Sequence, residues 1–422
     1  MSKIEDLIKQ YCPNGCEWKS FYDVAAYVRG VSYSKSKDLG ISGNGHKLLR
    51  ANNIDVESNS LNLTDVKIVD YSVKVKKSQM LMADDILICA GSGSKEHIGK
   101  VSYIYEDMDY TFGGFMGVIR SDKKEIHPRY MFHILMSPLF RNYIKSSDSS
   151  TINNINNETW KNFQIPIPPR PVQEEIVRIL DKFTELEKEL EKELELRRKQ
   201  YAFYRDKLLT FDGGVEWKRL GDVCQLVAGA TPSKSVLAYW NNGTISWMSS
   251  GEVNLRIVRD TEKKITQLGY DSASTKIVPV HSVIIALAGQ GKTRGKVAIN
   301  EIELCTNQSL CSMICGESLN YKYLYYYLDS KYEELRAISN GDGNRGGLSL
   351  KILAPYKIPV PSPTEQERIV KILDKFDTLT TSLTSGLPAE IKLRKQQYEY
   401  YRDYLFGLLK CQFNMVNHHA SI

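Results

Sequence analysis

The sequence lacks the marks of secreted, disulfide-linked and membrane proteins. Its 422 residues hold eight cysteines but no Cys-x-x-Cys pair, which indicates reduced thiols in a cytoplasmic protein. A zinc site from Cys305, Cys311 and Cys315 is an alternative, although their spacing fits no standard ligand pair. The longest apolar runs, such as 282–289, are far shorter than a membrane span, and residues 1–7 are too polar for a secretory signal. We therefore expect no membrane partner and no metal.

Complete catalytic motifs are also missing. The seven histidines form no HExxH arrangement, and no motif suggests an adenosylmethionine enzyme. Residues 288–293 resemble a phosphate-binding loop through Lys292 and Thr293. However, position 286 is Ala where that loop has Gly, and 295–299 reads as a strand where a helix should follow. We expect no cofactor, and a glycine loop between strands that faces a ligand.

What the sequence does contain is a long internal repeat. Residues 165–183 return as 358–376, and 196–206 return as 393–403. A period near half of the chain indicates a duplicated domain with its connector rather than a solenoid. Weaker echoes keep the same order: 17–24 over 216–223, 47–54 over 246–253, and 86–101 over 284–297.

The repeat predicts six segments along the chain. These are an N-terminal helical segment at 1–17, a globular domain at 18–164, a central spacer helix at 165–212, a second globular domain at 213–357, C-terminal spacer helices at 358–411, and a tail at 412–422. Short alternating strands and tyrosine-rich helices at 128–136 and 320–328 indicate mixed α/β (α+β) domains. The net charge is +6, and the basic surplus lies on the two globular domains, which suits an anionic partner.

The connectors have the apolar spacing of long helices. Residues 184–195 are all strong helix formers, which predicts one unbroken helix, whereas 385–388 (Ser-Gly-Leu-Pro) predicts a short helix, a turn and a longer helix. The apolar stripes predict that the two connectors pair with each other; the alternative is that each packs only on its own domain. The expected interface comprises Ile176, Ile179, Phe183, Leu186, Leu190, Tyr201, Tyr204, Ile369, Ile372, Phe376, Leu379, Leu383, Tyr398 and Tyr401.

This combination resembles the specificity subunits of type I restriction-modification enzymes. The resemblance rests on the Ile-Pro-Ile-Pro and Gln-Glu segment at 165–175, on Arg-Lys-Gln-Tyr with Tyr-Arg-Asp at 198–206, and on 387–391, and it is weaker in the globular domains. It implies two tandem target recognition domains, separated by two long antiparallel paired helices with pseudo-twofold symmetry. It also implies partners: double-stranded DNA, two methyltransferase subunits, and restriction subunits through the complex. Catalysis would then belong to those subunits, and this chain would not be an enzyme.

Base edges and phosphates are contacted mainly by Arg, Lys, Asn, Gln, Ser and Thr. Three loop positions shared by both halves are rich in these residues. The predicted DNA-binding residues are Lys47, Arg50, Asn52, Asn53, Ser92, Ser94, Lys95, Thr151, Asn153, Asn154, Ser249, Ser250, Gln290, Lys292, Thr293, Arg294, Asn344 and Arg345.

Three other functions stay open at this point. A stand-alone nuclease or ATPase would need a metal cluster or a complete phosphate loop. A coiled-coil adaptor would explain the helices but not the duplicated basic domains. A subunit of a methylation-only system would look the same in sequence.

Overall fold

The computed structural model describes residues 2–55, 58–94, 97–146, 154–289, 293–339, 347–382 and 384–419. The chain divides into two compact units, residues 1–190 with 391–422, and residues 191–390. Each unit therefore combines one globular domain with parts of both helical connectors.

The first unit contains a mixed domain followed by a long helix. Its elements are α1 (Ser2–Tyr11), β1 (Glu17–Ser20), α2 (Phe21–Val24), β2 (Ala25–Arg29), β3 (His46–Leu49), β4 (Lys67–Val69), β5 (Ile86–Cys89), β6 (Val101–Tyr103), β7 (Thr111–Phe112), β8 (Met116–Ser121), α3 (Pro128–Met136), α4 (Pro138–Ser146), α5 (Asn157–Asn162), β9 (Gln164–Ile167) and the start of α6 (Arg170–Leu208). The strands form three sheets, in the orders β2-β8-β5-β6, β4-β3-β7 and β1-β9.

The second unit repeats this plan. Its elements are β10 (Glu216–Arg219), α7 (Leu220–Val223), β11 (Cys224–Ala228), β12 (Ile245–Met248), β13 (Ile257–Val258), β14 (Lys263–Ile265), α8 (Gln267–Ser272), β15 (Val283–Ala286), β16 (Val297–Asn300), β17 (Cys305–Thr306), β18 (Leu310–Cys315), α9 (Tyr321–Ser330), α10 (Tyr332–Ala337), α11 (Leu350–Leu353), β19 (Lys357–Val360), α12 (Pro363–Thr381) and the start of α13 (Leu387–His419). The sheet orders are β11-β18-β15-β16-β13, β14-β12-β17 and β10-β19, so β13 is an added edge strand.

The repeated segment 165–183 and its copy join each domain to its helix in the same way. The hydroxyl of Tyr130 on α3 donates to the carbonyl of Pro166, and Tyr323 on α9 donates to Pro359, each over 3.0 Å. Gln173 and Gln366 are buried, and each binds a backbone amide of the domain and the carbonyl of the proline five residues earlier. These hydrogen bonds satisfy backbone groups at the domain–helix junction.

The structure corrects the alignment of one pair of strands. The sequence alignment of the two copies matches Ile86 with Ile284. In the structure Ile86 lies opposite Ile119 on the neighbouring strand. The counterpart of Ile119 is Met313, and the residue opposite Met313 is Val283. Ile86 therefore corresponds to Val283, one residue earlier than the sequence alignment. Both strands are apolar at every position and buried on both faces, so the pattern alone does not determine their register.

The predicted helix pattern is confirmed. α6 runs unbroken for 39 residues, whereas α12 ends at Thr381 and α13 begins at Leu387. A side chain at Gly386 would approach the carbonyl of Thr378 to 2.4 Å, so the turn between them needs glycine. Neither α6 nor any other described helix is long and apolar enough to cross a membrane.

The connectors both pack on their domains and pair with each other inside each unit. The first turns of α6, including Val172 and Leu180, lie in the core of the first domain. Further along, Phe183 contacts Tyr401 of α13, and Lys395 of α13 forms an ion pair with Glu187 over 3.3 Å. Because residue numbers rise along α6 as they fall along α13, the two helices are antiparallel there.

Candidate nucleic-acid interface

The first domain contains a groove of about 840 Å³ where β2, β3 and the segments after β5 and β7 meet. Four cationic side chains line it: Arg29, Lys35, Arg50 and Lys67, of which Lys67 pairs with Asp38. An exposed cationic concavity of this kind attracts polyanions. The other lining residues are Val31, Ser32, Tyr33, Leu48, Ala51, Asn52, Gly91, Ser92, Gly93, His97, Gly113, Gly114, Phe115 and Met116.

The predicted loop after β3 forms one wall of the groove. Arg50 donates to the Asp65 carboxylate over 3.1 Å, and the exposed Asn52 donates to the same carboxylate over 2.9 Å. Lys47 is exposed, with its Nζ 5.2 Å from the ring centroid of Tyr110. These contacts orient polar side chains without burying them.

Asn53 does not fit the prediction that it contacts DNA. It is 1% exposed, and its Oδ1 accepts a hydrogen bond from the amide of Arg50 over 2.8 Å. Its Nδ2 donates to the carbonyls of Asn62 and Asp65. All of its polar atoms hold the loop together, because a buried amide must be satisfied internally. Asn53 is a structural residue, and the expectation of DNA contact was wrong.

The other two predicted loops of the first domain lie beside the same strand end. Ser92 lines the groove, and its hydroxyl accepts a hydrogen bond from the amide of Ser94 over 3.1 Å. Asn154 is exposed and forms an isolated antiparallel β-bridge with Gly91. A side chain at Gly91 would clash with the side-chain amide of Asn154. Lys95, Thr151 and Asn153 lie outside the described residues.

Most groove residues were not predicted from the sequence, and Arg29 and Phe115 are two of them. Arg29 is exposed at the end of β2, and the ring of Phe115 is 69% exposed after two glycines. The carbonyl of Phe115 accepts hydrogen bonds from the amides of Ala90 and Gly91, both over 2.9 Å, so its backbone is anchored while its ring faces the groove. The sequence feature that could have identified Phe115 is the Gly113-Gly114 pair directly before it.

The second domain presents the equivalent strand ends. Ser249 donates to Glu252 over 2.8 Å, and Ser250 lies beside it, half-buried. Thr293 folds back on Gly289, and Arg294 is half-buried next to it. Gln290, Lys292, Asn344 and Arg345 lie outside the described residues.

Matched backbone hydrogen bonds identify counterpart positions in the two domains. The amide of Ala90 bonds the carbonyl of Phe115, and the amide of Leu287 bonds that of Ser309. By the same reasoning Arg50 corresponds to Ser249, since each backbone amide is capped by the side chain three residues later. Arg29 corresponds to Ala228, the last residue of the matching edge strand. One backbone plan therefore presents different side chains in the two domains.

Most predicted helix-interface residues lie where the connectors meet other parts of their unit. Ile176, Ile369 and Tyr398 are buried, while Tyr204 is 38% exposed. The partly buried members are Ile179, Phe183, Leu186, Leu190, Tyr201, Ile372, Phe376, Leu379 and Tyr401, and Leu383 lies outside the described residues. The sequence missed Leu180 and Leu373, which occupy matching positions, are 0% exposed and belong to the apolar clusters of their units.

A half-buried carboxylate links each domain to its connector. In the first unit Asp181 accepts hydrogen bonds from Arg129 and from His133, the latter over 2.7 Å. Although burial raises it, the hydrogen bonds from His133 and Arg129 hold the pKa of Asp181 down at about 2. In the second unit Asp374 accepts from Lys322 and Tyr326, over 2.6 and 2.7 Å.

His133 is fully buried, and burial lowers its pKa to about 4. The ring is therefore neutral near pH 7. Because the ionised Asp181 can only accept, the ring proton belongs on Nε2, and Nδ1 accepts from the hydroxyl of Tyr398 over 3.0 Å. This chain of hydrogen bonds joins α3, α6 and α13.

The cysteine and phosphate-loop alternatives find little support. Cys305 and Cys311 lie in separate apolar clusters, and no cluster of metal-ligating side chains occurs among the residues that the structure describes. The glycine loop after β15 is followed by the strand β16, as the sequence predicts. A helix at that position, which a phosphate-binding loop requires, does not form.

Comparison with known proteins connects this architecture to a family. The family described as the type I restriction modification DNA specificity domain matches residues 30–196 and 213–393. The chain belongs to this type I restriction-modification specificity family. The function that the family description gives is DNA sequence recognition, as the resemblance in the sequence implied.

Individual relatives agree with the family. A specificity subunit of a type I restriction enzyme from Escherichia coli is 44% identical over 266 residues, which cover 61% of this chain and 65% of that relative. A putative type I restriction enzyme specificity subunit from Haemophilus influenzae is 29% identical, with 93% of this chain and 95% of that relative covered.

Solved specificity subunits share the fold. The HsdS subunit from Thermoanaerobacter tengcongensis matches with a TM-score of 0.51 at 18% identity, over 93% of this chain and 96% of its own. The S subunit of a type I restriction-modification system from M. genitalium matches with a TM-score of 0.52 at 16% identity, over 92% and 96%.

Proposed function

We propose that each globular domain of this specificity subunit reads one half of a bipartite site in double-stranded DNA. The groove of the first domain carries the proposal. Three loops that are far apart in the sequence converge on it. Arg29 and Lys35 give it a positive charge, and Arg50 adds a guanidinium that pairs with Asp65. Guanidinium groups bind phosphates and the O6 and N7 atoms of guanine, and amides such as that of Asn52 bind adenine.

The differences between the domains support two different half-sites. Arg29, Arg50 and Phe115 of the first domain are matched by Ala228, Ser249 and Ser309 of the second. These side chains differ in charge, size and hydrogen-bonding capacity, while the backbone that holds them is the same. Matched positions with different side chains suit recognition of two unlike sequences.

We further propose that the helical connectors determine the distance between the half-sites. α6 joins the two domains without a break, and its 39 residues give it a length of about 58 Å at 1.5 Å per residue. That length corresponds to roughly 17 base pairs of DNA, at a rise of about 3.4 Å for each base pair. The base pairs between the half-sites would then not be read.

Repeated exposed apolar residues on the connectors suit the docking of methyltransferase subunits. Leu196 and its counterpart Leu393 are 56% and 58% exposed, and seven residues later Phe203 and Tyr400 are 62% and 65% exposed. A seven-residue spacing places each leucine and aromatic on one helix face. Two copies of one exposed surface fit two copies of one partner, with restriction subunits joining through them.

On this proposal the chain chooses the sequence, and its partners carry out methylation and cleavage in the cytoplasm. The decisive experiment replaces residues 1–164 with those of another specificity subunit and sequences the methylated sites in a host. We expect one half of the methylated motif to change and the other to persist. A wholly new motif would show that the domains do not read DNA independently.

The relatives named as subunits of type I restriction enzymes support full restriction over a methylation-only system. Mass spectrometry of the proteins that co-purify with the tagged chain separates the two. Methyltransferase and restriction subunits together indicate full restriction, whereas methyltransferase subunits alone indicate methylation only.

A further inference from the structure

Two cysteines of the second domain face each other across neighbouring strands. The edge strand β11 pairs antiparallel with β18, and Cys224 lies directly opposite Cys315. Their sulfur atoms are 4.0 Å apart, with the Cys224 thiol donating to Cys315. The two cysteines are 91 residues apart in the chain, so no local sequence motif predicts their contact.

The register of the ladder suits a covalent bond. The amide of Gly316 donates to the carbonyl of Val223 over 2.9 Å, just outside the cysteine pair. This bond marks Cys224 and Cys315 as a non-hydrogen-bonded pair, in which Cα atoms approach to about 4.5 Å and side chains are close. Disulfides span Cα separations of about 4.4–6.8 Å. Side-chain rotation would therefore suffice to join the two sulfurs.

The fold itself does not require this pair. In the first domain the same ladder position holds Ala25 opposite Ser121. Cys311, the other cysteine of β18, lies at the far end of the ladder opposite Ala228. The two thiols are thus a feature that the second domain adds to a shared plan.

We propose that Cys224 and Cys315 form a redox site, which a hydroperoxide converts to a disulfide. Cys315 is only partly buried, whereas Cys224 is 6% exposed. The hydrogen bond with Cys315 and burial raise the pKa of the Cys224 thiol. Because Cys315 is the more exposed of the two thiols, it meets the oxidant first.

The reaction proceeds in two balanced steps. The Cys315 sulfur attacks one peroxide oxygen; the S–O bond forms, the O–O bond breaks, and the first water leaves with the thiol proton, giving a sulfenic acid. The Cys224 sulfur then attacks the Cys315 sulfur; the S–S bond forms, the S–O bond breaks, and its thiol proton leaves with the hydroxyl as a second water. Two electrons pass from the thiols to hydrogen peroxide, which is the oxidant.

The disulfide would tie an edge strand to the interior of its sheet. An edge strand has a neighbour on one side only, so it separates from the sheet most easily. Closing a loop of this length also restricts the unfolded chain, which stabilises the folded domain. We expect the melting temperature of the second domain to rise by several degrees on oxidation and to return with dithiothreitol.

The test treats the folded full-length chain with hydrogen peroxide, blocks remaining thiols with N-ethylmaleimide, and maps peptides by mass spectrometry. The expected product is a peptide linking Cys224 to Cys315, two hydrogens lighter than the reduced pair. Cys224→Ala and Cys315→Ser introduce the residues of the first domain, so both variants should fold. Both should lack the link and the rise in melting temperature, whereas Cys311→Ala should keep both.

Two results would overturn the proposal. One is a folded wild-type protein in which peroxide carries Cys315 to sulfinic acid without any link to Cys224. The other is a link that persists in Cys315→Ser, which would assign the bond to a different cysteine.

Discussion

Phe183 stacks on Tyr401 with ring centroids 5.2 Å apart, and their repeat counterparts Phe376 and Tyr204 stack at 5.7 Å, with inter-ring angles of 20° and 22°. Each connector thus supplies one phenylalanine and one tyrosine to reciprocal contacts, one in each unit. The same contact between connector segments is therefore repeated in both units.

Charge in these contacts should disrupt the connectors. In Phe183→Asp with Phe376→Asp, a carboxylate replaces a partly buried ring, and we expect the free energy of unfolding to fall by several kcal/mol. Methyltransferase subunits should no longer co-purify. Leu268→Asp, at an exposed site of α8 outside the connectors, is the control for folding and for co-purification. Normal assembly of the double variant would refute the paired-helix interpretation.

The buried His133 predicts a pH dependence of stability. Its pKa is about 4 in the folded chain and near 6.5 when unfolded, so the unfolded chain binds the additional proton between these values. Stability is therefore lost as the pH falls from 6.5 to 4, by roughly 2 to 3 kcal/mol from this residue alone. His133→Gln should reduce the difference in unfolding free energy between pH 7 and 4.5 by that amount. An unchanged difference in urea titrations would contradict the assignment.

Removing a groove cation should affect one half-site only. Arg29→Ala introduces the residue of the second domain, and Arg50→Ala removes a second guanidinium of the groove lining. A lost base contact costs about 1 to 3 kcal/mol at one base pair, whereas a lost phosphate contact weakens all sequences alike and reduces the salt dependence. DNA-binding titrations on sites altered in either half distinguish these outcomes. Lys74→Ala, an exposed residue outside the groove lining, controls for net charge.

Each exposed leucine on the connectors should support one methyltransferase subunit. Leu196→Glu and Leu393→Glu place charge on the repeated surfaces, and each should reduce two bound subunits to one. Native mass spectrometry of the assembled complex counts them. Arg198→Glu, a charge change at an exposed position of α6 on a different helix face from Leu196, should keep both. If either leucine variant still binds two methyltransferase subunits, the docking surface lies elsewhere.

The chain by itself should bind no nucleotide. The glycine loop after β15 leads into a strand, which leaves no helix N-terminus for a phosphate. Isothermal titration with ATP should give no heat of binding for the wild type or for Lys292→Ala. Affinity in the wild type that is lost in the variant would reinstate the phosphate-loop interpretation.

Sequence periodicity was sufficient for the duplication and the main helices of this protein. The duplication, the unbroken α6, the turn at Gly386 and the tyrosine-rich helices all follow from local patterns of apolar residues, helix formers and helix breakers. These patterns involve residues that are close in the chain, so they can be recognised in the sequence without a structure. The family resemblance rests mainly on the segments that are repeated in the two halves of the chain.

Tertiary structure alone decided which side chains meet. The one-residue register of β15, the burial of Asn53, and the approach of Arg29 and Phe115 to one groove depend on pairing between distant strands. The contact of Cys224 with Cys315 has the same origin. A strand that is apolar on both faces satisfies the hydrophobic effect in either register, and only the hydrogen bonds of its neighbours select one.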